Sequence, residues 1–308
     1  MLEMSQISLL IACYNAAGTI ERAVRSIRQE PLIGEIIVVD DGSQDETIDV
    51  LKSNIADDKL KIFQTGINLG PGAARNIGLA KVAFPWVAVL DADDYFLPDR
   101  LKKLTSCSTD ADFIADDLYY CTNDTGKIKM RGMVERAGFI DLEFFVKNNI
   151  TTTRKQRTEL GFLKPLISMD FLNRYHIRYR ENLRLGEDFA FYVDALFAGA
   201  RFKIIDACGY VSIERTDSLS ARHEISDLEY LCEFDHLNLK RKLSQPERAA
   251  FHQHLLDTKK RLRLRRFLFE KANDRYDGML REFLWNHGSA RHILAELLKA
   301  KIRPHRSE

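Results

Sequence analysis

"ISLLIACYNAAGTIERAVRSIRQE", residues 7–30, decides the fold. It opens as a continuous apolar run of strand length that ends at Tyr14 and Asn15. Ile20, Val24 and Ile27 then recur at helical spacing, which predicts an amphipathic helix. The alternation continues outward from there. "EIIVVDDGS" (35–43) predicts a second strand, and "QDETIDVLKSNI" (44–55) a helix with Ile48 and Leu51 inward. "LKIFQT" (60–65) predicts a third strand, and "GINLGPGAARNIGLAKV" (66–82) a glycine-rich loop running into a helix. "WVAVLDADD" (86–94) predicts a fourth strand. Strand–helix alternation implies an α/β fold with a mostly parallel central sheet and flanking helices. Ligands of such sheets bind outside the carboxyl ends of the strands. Asn15, Asp40, Asp41 and the acids of 91–94 all fall at such ends.

Composition narrows the function classes. A chain of 308 residues can bury one substantial core and a smaller second unit. The 46 Lys and Arg against 45 Asp and Glu argue against nucleic-acid binding by the whole molecule. Cys13, Cys107, Cys121, Cys208 and Cys232 are scattered and lack CxxC spacing, which suits a reducing cytosol better than a disulfide or zinc framework. No stretch approaches the ~18 apolar residues of a transmembrane helix. The expected location is cytoplasmic, at most peripheral to a membrane.

Beyond residue 110 the pattern changes. "DADFIADDLYYCTNDTGKIKM" (110–130) predicts two strands around a turn at 123–126. "NITTTRKQRTELGFLKP" (149–165) is polar and basic, and partly loop. "PLISMDFLNRYHI" (165–177) and "GEDFAFYVDALFAGA" (186–200) predict short helices, and "RFKIIDACGYVSI" (201–213) one or two strands. From Ile225 onward the patterns are helical only. We therefore expect a catalytic domain over 1–222, with halves 1–100 and 101–222, and a helical region over 223–308.

Several short motifs carry chemistry. Asp91 and Asp93, at i and i+2 on the mouth of an apolar strand, suit a hard divalent cation such as Mg²⁺ or Mn²⁺. A cation would balance carboxylates that otherwise repel one another. The plainer alternative is a solvated turn with Asp94 as a helix cap. Asp40–Asp41–Gly42–Ser43 offers acceptors to a base N–H or a ribose hydroxyl, and Tyr14 an aromatic face for a base. "NLGPGAARN" (68–76) sets Gly70, Gly72, Arg75 and Asn76 at a loop-to-helix junction, where backbone N–H groups and Arg meet phosphates. It is not a P-loop, since no GK[ST] follows, and no GxGxxG follows the first strand. Glu187 and Asp188, taken alone, read as first-turn acids favoured by the helix dipole at ~0.3–1 kcal/mol.

In order along the chain, "SLLIACYNA", "IIVVDDGSQDET", "NLGPGAARNIGL", "AVLDADDYFLPDRL" and "LGEDFAFYVDAL" resemble the inverting nucleotide-sugar glycosyltransferases of family 2, with the GT-A fold. The resemblance covers roughly residues 5–222. It implies that Ala12, Tyr14 and Asp40 hold the uracil of a UDP-sugar donor. The wider nucleotide-sugar set adds Asp41, Gly72, Arg75, Asn76, Asp91 and Ala92. It also implies that Asp93 and Asp91 hold the metal on the diphosphate, that Asp188 is the general base and that Glu187 orients base or acceptor. One displacement by a hydroxyl on the opposite face then inverts the anomeric centre. A retaining mechanism would need a second flanking carboxylate, and no residue is nominated for it.

The segment 159–202 is most similar to bacterial exopolysaccharide glucosyltransferases of the succinoglycan-assembly type. That similarity implies UDP-glucose as donor and a lipid-linked oligosaccharide as glycan acceptor. Lys164, with Arg154 and Arg157, stands where acceptor or diphosphate could be met. The resemblance implies a basic or histidine residue in the segment "IERTDSLSAR" (213–222); no histidine occurs there, so Arg215 or Arg222 would cover the diphosphate. Two other readings compete. A sugar-phosphate nucleotidyltransferase needs an early glycine-rich basic signature, which "CYNAAGTIERAV" lacks. A non-catalytic nucleotide-sugar-binding subunit of an assembly complex is opposed by the presence of Asp91, Asp93 and Asp188 together. Finally, "KKRLRLRRF" (259–267) carries six basic residues. They could meet an anionic membrane at roughly 1 kcal/mol per well-placed cation, or pack on the catalytic domain or on a second subunit of a homo-oligomer.

Overall fold

Strand β1 (Ile7–Cys13) is an interior strand of its sheet, and a mostly apolar sequence suits it to that place, where all but one of its residues are buried. Helix α1 (Ile20–Ile27) buries Ile20, Ala23, Val24 and Ile27, the stripe its spacing predicts. β2 (Ile33–Asp40), α2 (Thr47–Asn54), β3 (Leu60–Gln64), α3 (Pro71–Leu79) and β4 (Trp86–Val89) follow in the expected alternation. The computed structural model describes residues 7–28, 30–55, 57–122, 128–130, 137–150, 159–214, 224–284 and 293–294. The expected turn at 123–126, Arg154, Arg157, Arg215, Arg222 and the boundary near residue 222 lie outside them.

The second part of the sheet is mixed. β5 (Tyr95–Phe96), α4 (Arg100–Thr105), β6 (Phe113–Thr122), β7 (Ile128–Met130), β8 (Gly138–Ile140) and α5 (Leu142–Lys147) lead to a single 3-10 turn, Leu160–Phe162. β9 (Leu166–Ser168), α6 (Met169–Arg174), α7 (Glu187–Phe197) and β10 (Phe202–Glu214) complete it. The sheet order is β3-β2-β1-β4-β9-β6-β10-β5. β1, β2, β3 and β4 pair in parallel, as do β6 and β10, whereas β9 runs antiparallel to both of its neighbours. Sequence reading gives residues 165–177 as helix alone. The structure makes Leu166–Ser168 a strand first, since a short apolar run between β4 and β6 completes two ladders. Residues 202–214 form one long strand, not two.

The chain folds as two units, Met1–Ser218 and Leu219–Glu308. The second holds α8 (Ile225–Leu239), α9 (Gln245–Ala272) and α10 (Tyr276–Leu284). α9 starts with a capping box of Ser244 and Glu247, which satisfies otherwise orphaned N–H groups. Between α8 and α9, His254 Nδ1 lies 2.8 Å from Asp235 Oδ2, both buried. The six cations of 259–266 are distributed around the helix. Arg266 pairs with Glu229 of α8 at 2.5 Å. Lys259, Arg261 and Arg266 all act electrostatically on Cys232 of α8, whose thiol is pushed up to about 11 by burial and Asp235 against those cations. Among the described residues, no helix is long and apolar enough to cross a membrane.

Candidate active site

The first acids stand where β2 ends. Asp40, 1% exposed, accepts from the Ser43 N–H at 3.3 Å and from Gln64 Nε2 at 3.4 Å. Asp41, 3% exposed, turns the other way. Its Oδ1 accepts from the Leu69 N–H at 2.9 Å and its Oδ2 from the Gly70 N–H at 2.7 Å. Sequence reading places Asp41 on the nucleotide. In the structure its carboxylate anchors the glycine-rich loop to β2. Gly42 is required there, because its φ is +75° and a Cβ would lie 2.6 Å from the Ile67 carbonyl carbon. Tyr14, just past β1, is 40% exposed beside Asn15, and thus open to stacking. The Asn15 N–H donates to Ser43 Oγ at 2.8 Å, joining the ends of β1 and β2.

The loop's second half behaves differently from a phosphate cradle. Asn76 clamps a distant segment, donating to the Tyr179 carbonyl at 2.9 Å and accepting from the Tyr179 N–H at 2.8 Å. Gly72 lies under the Arg180 carbonyl, where a Cβ would sit 3.1 Å away. Arg75, expected at phosphates, is buried among carboxylates instead. Its Nη2 is 2.8 Å from Asp91 Oδ1, and its Nη1 is 2.9 Å from Glu187 Oε1 and 3.4 Å from Asp188 Oδ1. Lys164, 5% exposed, enters from the other side. Its Nζ is 2.9 Å from Asp91 Oδ2 and 2.6 Å from Asp188 Oδ2. Two cations therefore bridge the end of β4 to the start of α7, joining residues nearly a hundred positions apart.

This charge arrangement sets protonation. Burial pushes Asp91 up, but Lys164 and Arg75 outweigh it and hold the carboxyl at about 2. Glu187 is raised above its usual range by burial and by Asp188, with Arg75 opposing. Burial lowers the Lys164 ammonium, yet Asp188 and Asp91 raise it more, so it stays charged. Asp94 is raised well above the carboxylate range by burial and then by the charges of Asp93 and Asp91. It is not the helix cap that the sequence allows. Its Oδ2 accepts from Tyr210 Oη at 2.7 Å and its Oδ1 from the Ile213 N–H at 2.8 Å, fastening the turn to β10. Asp93 and Ala92 stand partly exposed at the tip of that turn.

Sequence reading passed over three residues that shape this site. Tyr210 accepts the Asp91 N–H at 3.2 Å. Tyr179 lies under the Arg75 guanidinium, 5.4 Å from ring centroid to carbon, and stacks on Phe191. Arg100 is fully enclosed and donates two hydrogen bonds to Asp116, from Nη2 to Oδ1 at 2.7 Å and from Nε to Oδ1 at 3.0 Å. Aromatics in strands read as core, and an Arg at a helix start reads as solvated. Only the acid Asp116 inside an apolar strand hints at a buried cation partner.

Comparison with known proteins follows the same lines. The sequence model of the family described as Glycosyl transferase family 2 matches residues 8–185. The chain is 41% identical to the succinoglycan biosynthesis protein ExoU of Rhizobium meliloti (strain 1021), over 86% of this chain and 78% of that protein. It is 31% identical to the succinoglycan biosynthesis protein ExoO of the same strain, over 78% of this chain and 69% of that protein. Among solved structures, S. aureus TarS 1–349 in complex with UDP-GlcNAc matches with a TM-score of 0.63 at 18% identity, covering 89% of each chain. That likeness bears on the fold, an α/β GT-A arrangement with a C-terminal helical region. The nucleotidyltransferase reading falls away with the family match. The chain belongs to glycosyl transferase family 2 and is related to the succinoglycan biosynthesis proteins.

Proposed function

We propose that the protein transfers a sugar, glucose foremost, from a UDP-sugar to a hydroxyl of a growing lipid-linked oligosaccharide, with inversion at the anomeric carbon. The observation that carries this reading is the shared pairing of Asp91 and Asp188 with Arg75 and Lys164 at the carboxyl end of the sheet. Relatives named for succinoglycan biosynthesis and a fold neighbour solved with UDP-GlcNAc support it.

The chain's own groups divide the work. Tyr14 stacks on the base and Asp40 accepts from it. Asp91, fixed by its cations, receives the ribose side of the donor. Asp188 takes the proton of the incoming hydroxyl as the bond to the leaving diphosphate breaks, and Glu187 orients that hydroxyl. Arg75 and Lys164 hold the Asp188 carboxylate in place for that step.

A divalent metal fits at Asp93. Three acids gather at that turn, where the Asp94 carboxyl is raised by burial first and then by the charges of Asp93 and Asp91, and Arg22 Nη2 donates to the Asp93 carbonyl at 2.7 Å. Both oxygens of Asp91 already face cations, so Asp93 would carry most of the protein's share. Among the described residues no group of three or more His, Cys, Asp or Glu forms a metal cage. That suits Mg²⁺, which takes one or two carboxylates and completes its shell from phosphate and water. When bound, the metal would neutralise charge developing on the departing diphosphate.

The test is a donor screen reading UDP release with and without EDTA, alongside UDP calorimetry. Turnover of a UDP-sugar that EDTA suppresses is expected, as is UDP binding that weakens in EDTA and in Asp93→Ala. UDP affinity unchanged by both would remove the metal. Failure to turn over any UDP-sugar would favour a binding subunit.

A further inference from the structure

We propose that Lys164 is a positioning residue, which holds the donor-side carboxylate Asp91 and the base Asp188 at a fixed separation, and that the buried Arg100–Asp116 pair fixes its main chain. This rests on the functional reading above and deepens it, from the pairing that Lys164 makes to the layer that holds Lys164 in place.

The case begins with the burial of Lys164, which is 5% exposed. Taking an ammonium out of water costs several kcal/mol unless charges close by compensate it. Asp188 Oδ2 at 2.6 Å and Asp91 Oδ2 at 2.9 Å do so, using two of its three donors. If the ammonium turned away to an acceptor or a diphosphate, Asp188 would retain, among the described residues, the single cation Arg75, whose Nη1 is 3.4 Å away and closer to Glu187. Lys164 is thus the nearer cation of the base.

An ammonium on a four-carbon stem positions nothing unless its own backbone is fixed. Here both carbonyls around it are held by buried donors. The Leu163 carbonyl accepts from Tyr192 Oη at 2.8 Å, and Tyr192 is one helical turn after Asp188 on α7. The Lys164 carbonyl accepts from Arg100 Nη2 at 2.5 Å. Arg100 in turn is paired with Asp116 of β6 and packed on Phe96 and Tyr210, with ring centroids 4.3 and 5.3 Å from its guanidinium carbon. A Cβ on Gly209 would meet the Arg100 stem at 2.7 Å, so β10 must carry glycine there to admit it. Tyr210 also holds the Asp91 N–H. The main chains behind Asp91 and Lys164 therefore rest on one buried Arg–aromatic layer, and their side chains meet in front of it. Asp116, an acid that the catalytic scheme leaves unused, acquires a role as the counter-charge of that layer.

The experiment uses the full chain, UDP, and the UDP-sugar that wild type hydrolyses fastest. Lys164→Met keeps the length and removes the charge. Asp91 keeps Arg75 at 2.8 Å, so the UDP Kd is expected to stay within about threefold of wild type while kcat falls by at least ~100-fold, the size of effect that a misplaced catalytic group produces. Lys164→Ala supplies a second readout that holds in a less stable protein. Ethylammonium should restore its kcat at least about tenfold, whereas tetramethylammonium at equal ionic strength should not, because it has no N–H to donate. A Lys164→Met chain with wild-type kcat overturns the proposal. So does one whose UDP affinity falls in step with kcat, which would give Lys164 to the donor, or an alanine variant that ethylammonium leaves unchanged. A wild-type chain inactive on every UDP-sugar overturns the functional reading and this inference with it.

Discussion

Asp41 at the end of β2 and Asp188 at the start of α7 are both buried acids at the same end of the sheet, yet the protein holds them by different means. Asp41 accepts from the N–H groups of Leu69 and Gly70 and from Thr65. These are neutral dipoles, and what they secure is the shape of a loop. Asp188 is paired with Arg75 and Lys164, which also pair with Asp91. Such a cluster is balanced by full charges, so a proton or a substrate that alters one member is felt by the others. The contrast separates the acid that fastens a loop from the acid proposed as the base more sharply than burial does.

The largest effect should come from Asp188→Asn. We expect UDP release in transfer to fall by ~10³-fold or more, near the upper range for a lost general base, with UDP affinity retained. Loss of affinity in that variant would move Asp188 to the donor side and erase the contrast.

Stability should distinguish the two kinds of acid next. Arg75→Met leaves Asp91 and Asp188 to Lys164 and takes from Glu187 its ion pair with Arg75, and should cost about 3–5 kcal/mol, as for a broken buried ion pair. Asp41→Asn keeps the shape and one acceptor oxygen, and should cost about 1–2 kcal/mol. Urea midpoints of the two variants test this ranking, and equal losses would break it.

The smallest effect lies in pH. Glu187 is raised by burial and by Asp188, so the folded chain takes up its proton at higher pH than the unfolded chain does. Its contribution to stability therefore grows as pH falls through the raised value and is lost as pH rises. Asp91 runs the other way. Held at about 2, its contribution is present above the ordinary carboxylate pKa and is lost as pH falls toward 2. Between pH 7 and pH 5, wild type should gain on Glu187→Gln in urea midpoint. A constant difference would show that Glu187 titrates normally.

Much of the fold was legible because strands buried on both faces read as apolar runs and the intervening helices kept their stripes. β9 was not, since Leu166–Ser168 is three residues long and merges into the pattern of α6. The acids of the site were legible as motifs, but their partners were not. Nothing in "NLGPGAARN" says that Arg75 turns from the loop toward Glu187 and Asp188, because that contact spans more than a hundred residues. Arg100 is hidden too, since its charge at the start of α4 is answered by Asp116 on β6, a different element. Long-range ion pairs leave no local periodicity, and so they emerge only when the chain is folded.

The account turns on one displacement assisted by Asp188, and the product records it. Proton NMR of the first-formed sugar product, taken before mutarotation, reads its anomeric configuration directly. The account predicts the configuration opposite to that in the UDP-sugar donor. A product with the donor's configuration would require a second displacement and would contradict it.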